Sequence, residues 1–517
     1  MPRFKYTDYS QNQFISINLK EQLIPGSFEW TINYLINKID MSIFDENYNN
    51  DNKGAAAYPP EILLKVILYC YSKGIISSRK IEEACITNII TKSLADDYEP
   101  DHATIAAFIS TNSIAIKDLF TQILLQCHKL KLITGEMFAI DGCKLPSNAS
   151  KEWSGTITDL TKKRNKLEKY IERVILRHKE LDKDENAKRK LKTYKNTMGD
   201  DNERNQKSIQ RLEKKLRKLN IFLANAKPKI GISGSEIQSN ITDNESAKIK
   251  SPHGYIQGYN GITIADSGNQ IIITAEAAGS GPENGSFPGM LDSLEKNMKT
   301  VTGRKEPLRK ALVEGDTGFF TEDNLQEAVK RKIDVLIPDQ QFRQRDPYFA
   351  EKKDEKVKKK HTKKFSMEDF EYDRNNDCYI CPNGKILEYK CDAVLRNNTG
   401  RQYRCRSSDC AECPLIEKCI KKRNGNKPAR ALYSAYRKYD KNLSEEMRKK
   451  IDEPVNRELY SRRAQIIEPV FADITYCKRM NRFTLRTKEK VNAQWLLYCI
   501  VHNIWKCMIP LRLKYGN

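Results

Sequence analysis

The spacing of apolar residues predicts a helical region over about the first 130 residues. A helix is expected to begin at Pro59 and Pro60, and apolar residues follow at helical spacing: Ile62, Leu63, Val66, Ile67 and Tyr69. Shorter helices are expected to begin at good N-cap residues, which are Ser77 or Ser78 and then Asp101 or Thr104. Helices joined by short turns are compatible with a DNA-binding domain, and equally with a plain helical packing domain.

The hydrophobic period changes at residue 136, where EMFAIDGCKL forms a nearly continuous apolar run. Such a run is typical of a strand buried on both faces, and we expect it to end at Asp141. Two β-branched runs predict a hairpin over residues 259–277. Another strand is expected to end at Asp316, before a helix with Thr321 as its N-cap. Two strands are therefore each closed by an acid.

Between Asp159 and Leu223 the chain is highly charged, with apolar residues at helical spacing on both sides of a polar break. This pattern predicts an antiparallel helical hairpin, whose basic surface is either a DNA contact or a solvated face. The basic run KVKKKHTKK, residues 356–364, is most simply a solvated linker with incidental phosphate affinity. The C-terminal region returns to a helical pattern, so the fold class is α/β.

The charge balance favours a polyanionic partner, because 90 Lys and Arg stand against 68 Asp and Glu, a net charge of +22. Nucleic acid is the leading candidate. The longest apolar-leaning run, residues 491–505, is shorter than the roughly 20 residues of a membrane-spanning helix and predicts a buried helix instead. The N-terminus lacks the apolar segment of a signal peptide, so we expect a cytoplasmic, nucleoid-associated protein.

Three acids are the candidates for chemistry: Asp141 and Asp316 at the predicted strand ends, and Glu468 in an apolar segment near the C-terminus. Carboxylates of this kind are what a two-metal phosphoryl-transfer site requires, because Mg²⁺ or Mn²⁺ takes hard oxygen ligands. Taken singly, each acid also has a structural interpretation. Asp141 suits a turn, Asp316 the start of a loop, and Glu468 the start of a helix.

These segments resemble one family, the bacterial insertion-sequence transposases of the DDE class, in the branch whose final acid lies in a Tyr-Arg-Glu-Lys signature. The resemblance runs over nearly the whole chain and rests, in order, on GAAAYPPEILLKVILYCYSKGIISSRKIEEA, FAIDGCKLPSNAS, EGDTGFF, YSRRAQIIEPVFADI and HNIWK. It implies a ribonuclease-H-like α/β core, with Asp141 on the first strand, the hairpin as the second and third, Asp316 after the fourth, and Glu468 on a later helix.

The resemblance also implies a domain order. An N-terminal helical DNA-binding domain would span 1–132, and the catalytic domain would span 133–512. Within the catalytic domain, a helical-hairpin insertion would span 156–228, and a basic linker with a cysteine-rich insertion would span 340–455. These insertions would account for the long sequence distances between the three acids.

The signature assigns Tyr460 and Arg463 to contacts with the DNA strand ends. Its lysine position, seven residues past Glu468, is Thr475 in this chain, so Lys478 or Arg479 is the candidate substitute. Arg486 is a further basic residue expected to contact DNA.

The segment around Glu468 is expected to be a helix that docks on the sheet through Ile467, Val470, Phe471 and Ile474. Glu468 would lie at the edge of this apolar face and reach a metal held by Asp141 and Asp316. Pro469 follows Glu468 directly, and proline is disfavoured inside a helix, so we expect it in the first helical turn.

Seven of the 14 cysteines fall between Cys378 and Cys419, which in a cytoplasmic chain indicates a metal site or reduced thiols rather than disulfides. Two C-x-x-C pairs, Cys378/Cys381 and Cys410/Cys413, with Cys419 nearby, offer more than the four thiolates of a structural zinc site. Cys391 and Cys405 compete as ligands. Resemblance to the family selects Cys381, Cys410, Cys413 and Cys419.

The resemblance implies a DDE transposase that cleaves and joins DNA at the ends of its own element, with Mg²⁺ or Mn²⁺ as cofactor and Zn²⁺ as a second candidate. Its partners would be the terminal inverted repeats and the target DNA, and pairing two ends would require at least a homodimer. The alternatives are another nuclease of the same fold and a non-catalytic DNA-binding protein.

We predict that DNA binding weakens steeply as salt increases, because each neutralised phosphate releases counterions. Fluorescence anisotropy with a labelled duplex, between about 50 and 200 mM salt, should show log affinity falling linearly with log salt concentration. An affinity that is the same at both concentrations would contradict an electrostatic role for the +22 charge.

Overall fold

The computed structural model describes residues 16–48, 56–183, 198–231, 234–251, 254–279, 281–346, 364–373, 375–395, 398–420, 429–435 and 442–516. Most of the basic run 356–364 lies outside these residues. The chain forms two compact units: unit 1 comprises 1–226, 238–338 and 453–517, and unit 2 comprises 227–237 and 339–452. The three predicted acids therefore belong to unit 1, and the cysteine-rich segment belongs to unit 2.

Short helices form the N-terminal part of unit 1, as the apolar spacing predicts. After a 3-10 turn at Lys20–Gln22 they are α1 (Phe28–Ile36), α2 (Ser42–Asp45), α3 (Pro60–Ser72), α4 (Ser78–Thr87), α5 (Ile89–Leu94), α6 (His102–Thr111) and α7 (Ser113–Lys129). Pro60 stands in the first turn of α3. Asp101 caps α6 by accepting a hydrogen bond from the Thr104 N–H at 2.7 Å, and Ser77 is the N-cap of α4. These expected helix starts are confirmed.

A mixed sheet forms the centre of unit 1. The strands of the two units are β1 (Met137–Pro146), β2 (Ser154–Gly155), β3 (Lys229–Ile230), β4 (Glu236–Ile237), β5 (Ser239–Asn240), β6 (Ala247–Ser251), β7 (Gly254–Asp266), β8 (Ile272–Ala278), β9 (Leu312–Gly315), β10 (Asp334–Leu336), β11 (Glu371–Asp373), β12 (Cys378–Ile380), β13 (Ile386–Leu395), β14 (Asn398–Cys405) and β15 (Ala431–Ala435). The central sheet has the order β10-β9-β1-β7-β6, and β8 also pairs with β7.

The strand directions divide this sheet in two. β7 is antiparallel to β1, β6 and β8, whereas β9 is parallel to both β1 and β10. The predicted hairpin is confirmed as β7 and β8. The helix expected after Asp316 is also confirmed, with the Thr321 hydroxyl accepting a hydrogen bond from the Asn324 N–H.

The remaining helices are α8 (Ile157–Lys183), α9 (Met198–Asn225), α10 (Phe287–Thr302), α11 (Glu322–Lys330), α12 (Phe342–Arg345), α13 (Ser407–Ala411), α14 (Ile416–Cys419), α15 (Leu443–Asp452), α16 (Pro454–Ser461), α17 (Arg463–Ala472) and α18 (Lys488–Tyr515). Shorter 3-10 turns are Lys151–Trp153, Asn284–Ser286, Thr317–Phe319 and Met367–Asp369, and α17 continues into a π-helical turn, Asp473–Cys477. α8 and α9 pack against each other, as the hairpin prediction requires.

Side chains from neighbouring helices satisfy backbone groups of β8. The Asn503 amide on α18 both donates to the Ile272 carbonyl and accepts from the Ile272 N–H, each at 2.9 Å. Asn492 accepts from the Ala277 N–H at 2.9 Å. A strand with open hydrogen-bonding groups would invite pairing with another chain, so these amides both close the strand and fix α18 on the sheet.

α18 contains the apolar run 491–505 and buries most of it, as predicted. The helix also packs against α3 and α7, so it links the N-terminal helices to the sheet. Among the described residues, no helix is long and apolar enough to cross a membrane.

Two local expectations are wrong. β1 does not end at Asp141 but continues to Pro146, because β7 pairs with it along its whole length. Pro469 lies inside α17 rather than in its first turn. The proline has no N–H for the Gln465 carbonyl one turn earlier, and that carbonyl instead accepts a hydrogen bond from the Gln270 side chain at 2.8 Å. A tertiary contact therefore allows the helix to continue.

Unit 2 is built on an antiparallel sheet in the order β11-β12-β13-β14-β15. Its core contains Phe370, Tyr379, Leu387, Tyr403 and Leu432 together with two buried cysteines, Cys405 and Cys410. β3 and β4 form a separate two-stranded pair in the same unit. The cysteine-rich segment thus has a small core of its own.

Candidate active site

Three carboxylates meet at the central sheet of unit 1. Asp141 lies on β1, Asp316 directly follows β9, and Glu283 follows β8, and each offers an oxygen within 4.8 Å of the others. The register explains the meeting of the first two, because Ile140 pairs with Gly315 in the parallel ladder. Asp141 follows Ile140 and Asp316 follows Gly315, so the two acids lie side by side on neighbouring parallel strands. The structure therefore brings together two of the three predicted acids and adds Glu283.

Asp141 is the most constrained of the three. Its Oδ1 accepts a hydrogen bond from the Gly142 N–H at 2.8 Å, and its Oδ2 lies 2.7 Å from Nη2 of Arg463. Burial raises the pKa of Asp141, and the Asp316 charge adds to this rise, whereas the Arg463 charge and the Gly142 N–H oppose it. The charge of this carboxylate is thus balanced by one buried arginine.

Glu283 is held by Asn260 of β7, whose Nδ2 donates to Oε1 of Glu283 at 2.6 Å. Burial raises the pKa of Glu283, and the Asp316 and Asp141 charges raise it further, although the Asn260 hydrogen bond lowers it. Sequence analysis missed this acid, because it lies in the loop GSGPENGS outside any predicted strand end. The signal that could have identified Glu283 is its position in the loop just after the predicted hairpin.

Because Gly142 has no side chain, Asn260 and Glu283 can lie close to its backbone. A Cβ at residue 142 would lie 2.8 Å from Oδ1 and 2.9 Å from Nδ2 of Asn260, and 2.9 Å from Cδ of Glu283. Real Cβ atoms do not approach other atoms this closely, so a larger residue would displace the amide and the carboxylate. The glycine beside Asp141 therefore permits the close approach of Glu283.

Glu468 is not part of the cluster of three acids. It is exposed on α17, whereas Arg463 at the start of the same helix is buried against Asp141. Residues five apart on an α-helix point roughly 140° away from each other, so α17 cannot present both side chains to Asp141 in this arrangement. The predicted apolar face is present, with Ile467, Val470 and Ile474 buried.

Tyr460 and Glu314 also lie in the electrostatic environment of the acids. Burial, with the charges of Asp316, Glu314 and Asp141, raises the pKa of Tyr460 to about 12, so its hydroxyl keeps its proton. Glu314 is on β9, two residues before Asp316, and is fully buried. Burial raises the pKa of Glu314 to about 7, against the opposing charges of Arg463 and Arg462.

The two basic residues expected to contact DNA differ in their exposure to solvent. Lys478 is only 5% exposed, pairs with Asp473, and lies 4.8 Å from the ring centroid of Trp505. Burial lowers the pKa of Lys478, and the Asp473 interaction opposes this effect. A lysine enclosed in this way has no surface to offer a phosphate, so it does not replace the signature lysine in this arrangement. Arg486 is exposed, and its Nε donates to the Asn148 carbonyl at 3.1 Å.

Five cysteines of unit 2 line one small cavity of about 20 Å³: Cys381, Cys405, Cys410, Cys413 and Cys419. Backbone N–H groups donate to two of the sulfurs, from Lys385 to Cys381 at 3.3 Å and from Arg430 to Cys410 at 3.4 Å. Of the other candidates, Cys391 is exposed and Cys378 is buried. Within the described chain, no three thiols meet the 4.8 Å spacing that the three carboxylates meet.

The three carboxylates suit a divalent cation. They provide hard oxygen donors, which Mg²⁺ and Mn²⁺ prefer, and the charges of Asp141 and Asp316 raise the pKa of Glu283, a repulsion that a cation would relieve. In addition, Oδ1 of Asn260 is buried without a hydrogen-bond partner among the described residues, so it is a free oxygen beside the acids. Asp141, Glu283 and Asp316 are thus the residues that would hold the metal.

Comparison with known families identifies the class of protein. Residues 17–111 match a family model described as a transposase domain (DUF772), and residues 380–508 match one described as a transposase DDE domain. No curated protein matches the chain. The two matches support an insertion-sequence DDE transposase. Glu468 lies inside the second matched segment, whereas Asp141 and Asp316 lie outside both segments.

Gly142→Ala is predicted to weaken Mn²⁺ binding by about tenfold or more, because the added methyl group displaces Asn260 and the Glu283 carboxylate that it orients. Isothermal titration calorimetry on the DNA-free protein measures the effect. The matched control is Gly289→Ala, since a Cβ there meets no described atom within 4 Å. Equal Mn²⁺ affinities for the two variants would show that the space above Gly142 is unimportant.

Proposed function

We propose that this transposase cleaves and joins DNA at the ends of its own insertion sequence by metal-dependent phosphoryl transfer. The observation that carries the proposal is the cluster of Asp141, Glu283 and Asp316 on the sheet of a chain with two transposase segments. The terminal inverted repeats and the target DNA would be its partners. Pairing two ends would require at least a homodimer.

The strand order supports a ribonuclease-H-like core. β7 lies between β8 and β1 and is antiparallel to both, and β9 and β10 continue the sheet in parallel with β1. This order places one acid on the central strand and another after its parallel neighbour. We propose that the helical hairpin, α8 and α9, and unit 2 are insertions into this core, and that the N-terminal helices bind DNA.

The bound metal would polarise the scissile phosphate and lower the pKa of the attacking hydroxyl. The protein's own residues supply the rest. Asp141 and Asp316 are fixed by adjacent strands, and Asn260 orients Glu283, so the carboxylates need little reorganisation. Arg463 is paired with Asp141 and the protonated Tyr460 lies near it, so these two side chains would contact the DNA backbone only once the arginine leaves Asp141. Arg486, which is exposed, would add a further phosphate contact.

Two glutamates compete for the role of third acid. The structure favours Glu283 by proximity to Asp141 and Asp316, whereas the Tyr-Arg-Glu-Lys signature assigns Glu468. We propose that Asp141 and Asp316 are common to either arrangement. A change in the orientation of α17 when DNA binds would be required for Glu468 to join them.

The alternatives predict different products. A nuclease of the same fold would cut element ends without joining them, and a non-catalytic DNA-binding protein would do neither. Incubating the purified protein with labelled element ends, target DNA and Mg²⁺ distinguishes all three by gel analysis. Joined products support transposition. Binding of element ends without cleavage by the folded wild-type protein would overturn the proposal.

Asp141→Asn and Asp316→Asn are predicted to lower cleavage of element ends by orders of magnitude while leaving DNA binding nearly intact. The amides keep the shape of the side chains but remove the charge that holds the metal, and each tenfold loss in rate corresponds to about 1.4 kcal/mol of transition-state stabilisation. Glu458→Gln, at an exposed acid on α16, is the control. Near-normal cleavage by folded Asp141→Asn protein would remove the cluster from the mechanism.

The same assay assigns the third acid. Glu283→Gln and Glu468→Gln are compared at saturating Mg²⁺, and the variant that loses cleavage identifies the catalytic glutamate. An exposed helical residue without a catalytic role should change stability by no more than about 0.5 kcal/mol and leave the rate unchanged.

We also propose that unit 2 holds one zinc ion through Cys381, Cys410, Cys413 and Cys419. Support comes from their shared cavity and from the N–H groups that donate to Cys381 and Cys410, since such donors stabilise thiolates. Because no three described thiols lie within 4.8 Å of one another, the ligands would have to draw together around the ion. Elemental analysis of protein purified without chelator should give one zinc per chain. Cys410→Ser should lose it, whereas Cys391→Ser, at an exposed site, should keep it. An absence of metal in the wild-type protein would contradict the assignment.

A further inference from the structure

Glu314 is a buried carboxylate whose charge nothing directly neutralises. Its side chain is 0% exposed, and neither carboxylate oxygen has a hydrogen-bond partner among the described residues. An isolated buried charge is costly, so proteins normally pair it or leave it protonated. Glu314 lies on β9 in the central sheet, where replacement by an apolar residue would relieve this cost. The expected partner is therefore a nearby cation that is paired with another acid in this structure.

Arg463 is the candidate partner, because its positive charge acts on Glu314. Its side chain is 11% exposed, and its guanidinium forms an ion pair with Asp141. The Nε of Arg463 is buried and has no hydrogen-bond partner in the described chain. The positive charge of Arg463 acts on Glu314 and lowers its pKa against the effect of burial. An arginine with an unsatisfied N–H group and a glutamate without a hydrogen-bond partner thus lie in one buried environment.

The strand register places the two acids on the same side of the sheet. Ala139 pairs with Glu314 in the parallel ladder of β1 and β9, and alternate residues of a strand face the same side. Asp141 therefore faces the same side as Glu314. α17, which begins at Arg463, packs against β1. The acids near Arg463 on this side are Asp141, Asp316 and Glu314, and of these only Glu314 is not a proposed metal ligand.

Binding of a divalent cation at Asp141 creates a conflict, because the guanidinium already occupies Oδ2 of that carboxylate. Two positive groups on one carboxylate repel each other in a buried site, where screening by water is weak. Either Arg463 weakens metal binding or it finds another counterion. Glu314 is available as that counterion, because neither of its carboxylate oxygens has a hydrogen-bond partner in the described chain.

Resting on the proposed function, we propose that Glu314 is a positioning residue that accepts the Arg463 guanidinium when Asp141 binds a divalent cation. In this exchange Arg463 moves from the carboxylate of Asp141 to that of Glu314 and stays in the site. Its charge substitutes for the metal at Asp141 before binding, which keeps that carboxylate in place. After binding, Glu314 holds the arginine away from the metal.

Calorimetric titration of the full-length, DNA-free protein with Mn²⁺ tests the exchange through a double-mutant cycle. Glu314→Gln should weaken Mn²⁺ binding about tenfold, because Arg463 then has no alternative to Asp141. Arg463→Gln should tighten binding, since the competing charge is gone. In the Arg463→Gln background, Glu314→Gln should have little further effect. Equal effects of Glu314→Gln in both backgrounds would show a purely structural role and overturn the proposal.

Two further measurements keep the test decisive. Arg463→Gln alone must tighten Mn²⁺ binding, so the proposal is tested even if Glu314→Gln does not fold. Weaker Mn²⁺ binding by folded Arg463→Gln protein overturns the proposal. Asp141→Asn reports on the proposed metal site itself. Unchanged Mn²⁺ affinity in Asp141→Asn overturns both proposals, whereas reduced affinity with an additive Glu314 effect overturns only the exchange. Cleavage by Glu314→Gln should recover at higher Mg²⁺, which a packing defect would not do.

Discussion

The parallel pairing of β1 with β9 is the constraint on which the site depends. It fixes Ile140 opposite Gly315, and so places Asp141 and Asp316 next to each other at the point where the ladder ends. A shift of one residue would turn one acid to the opposite face of the sheet. The antiparallel pairing of β1 with β7 adds Asn260, which orients Glu283. Three segments far apart in sequence are thereby joined into one acidic cluster.

Buried charge is the main cost of this arrangement, and the structure compensates it unevenly. Asp141 has Arg463 as its counterion, whereas Glu283 has only the neutral amide of Asn260 and Glu314 has no hydrogen-bond partner among the described residues. Uncompensated buried carboxylates favour protonation or the arrival of a cation. The cluster of Asp141, Glu283 and Asp316 is therefore suited to a divalent cation.

α17 illustrates how tertiary contacts override local preference. Pro469 should end a helix, yet Gln270 takes over the carbonyl that the proline leaves free, and the helix continues into a π-helical turn. In this helix Arg463 points at Asp141, whereas Glu468 is exposed. Lys478, beyond the π-helical turn, is enclosed by Asp473 and Trp505. The signature segment thus presents its arginine, rather than its glutamate, to the acids.

The sequence by itself determined the helices of the N-terminal region, the β7–β8 hairpin, the acid after β9 and the transposase class, because these follow from local periodicity, caps and linked motifs. Only the tertiary structure decided which acids meet. Glu283 lies in a loop without local pattern, and its place follows from Asn260 and the absent side chain of Gly142. The orientation of Glu468 likewise depends on how α17 docks, because a helical pattern defines an apolar face but not which polar residue reaches a distant strand.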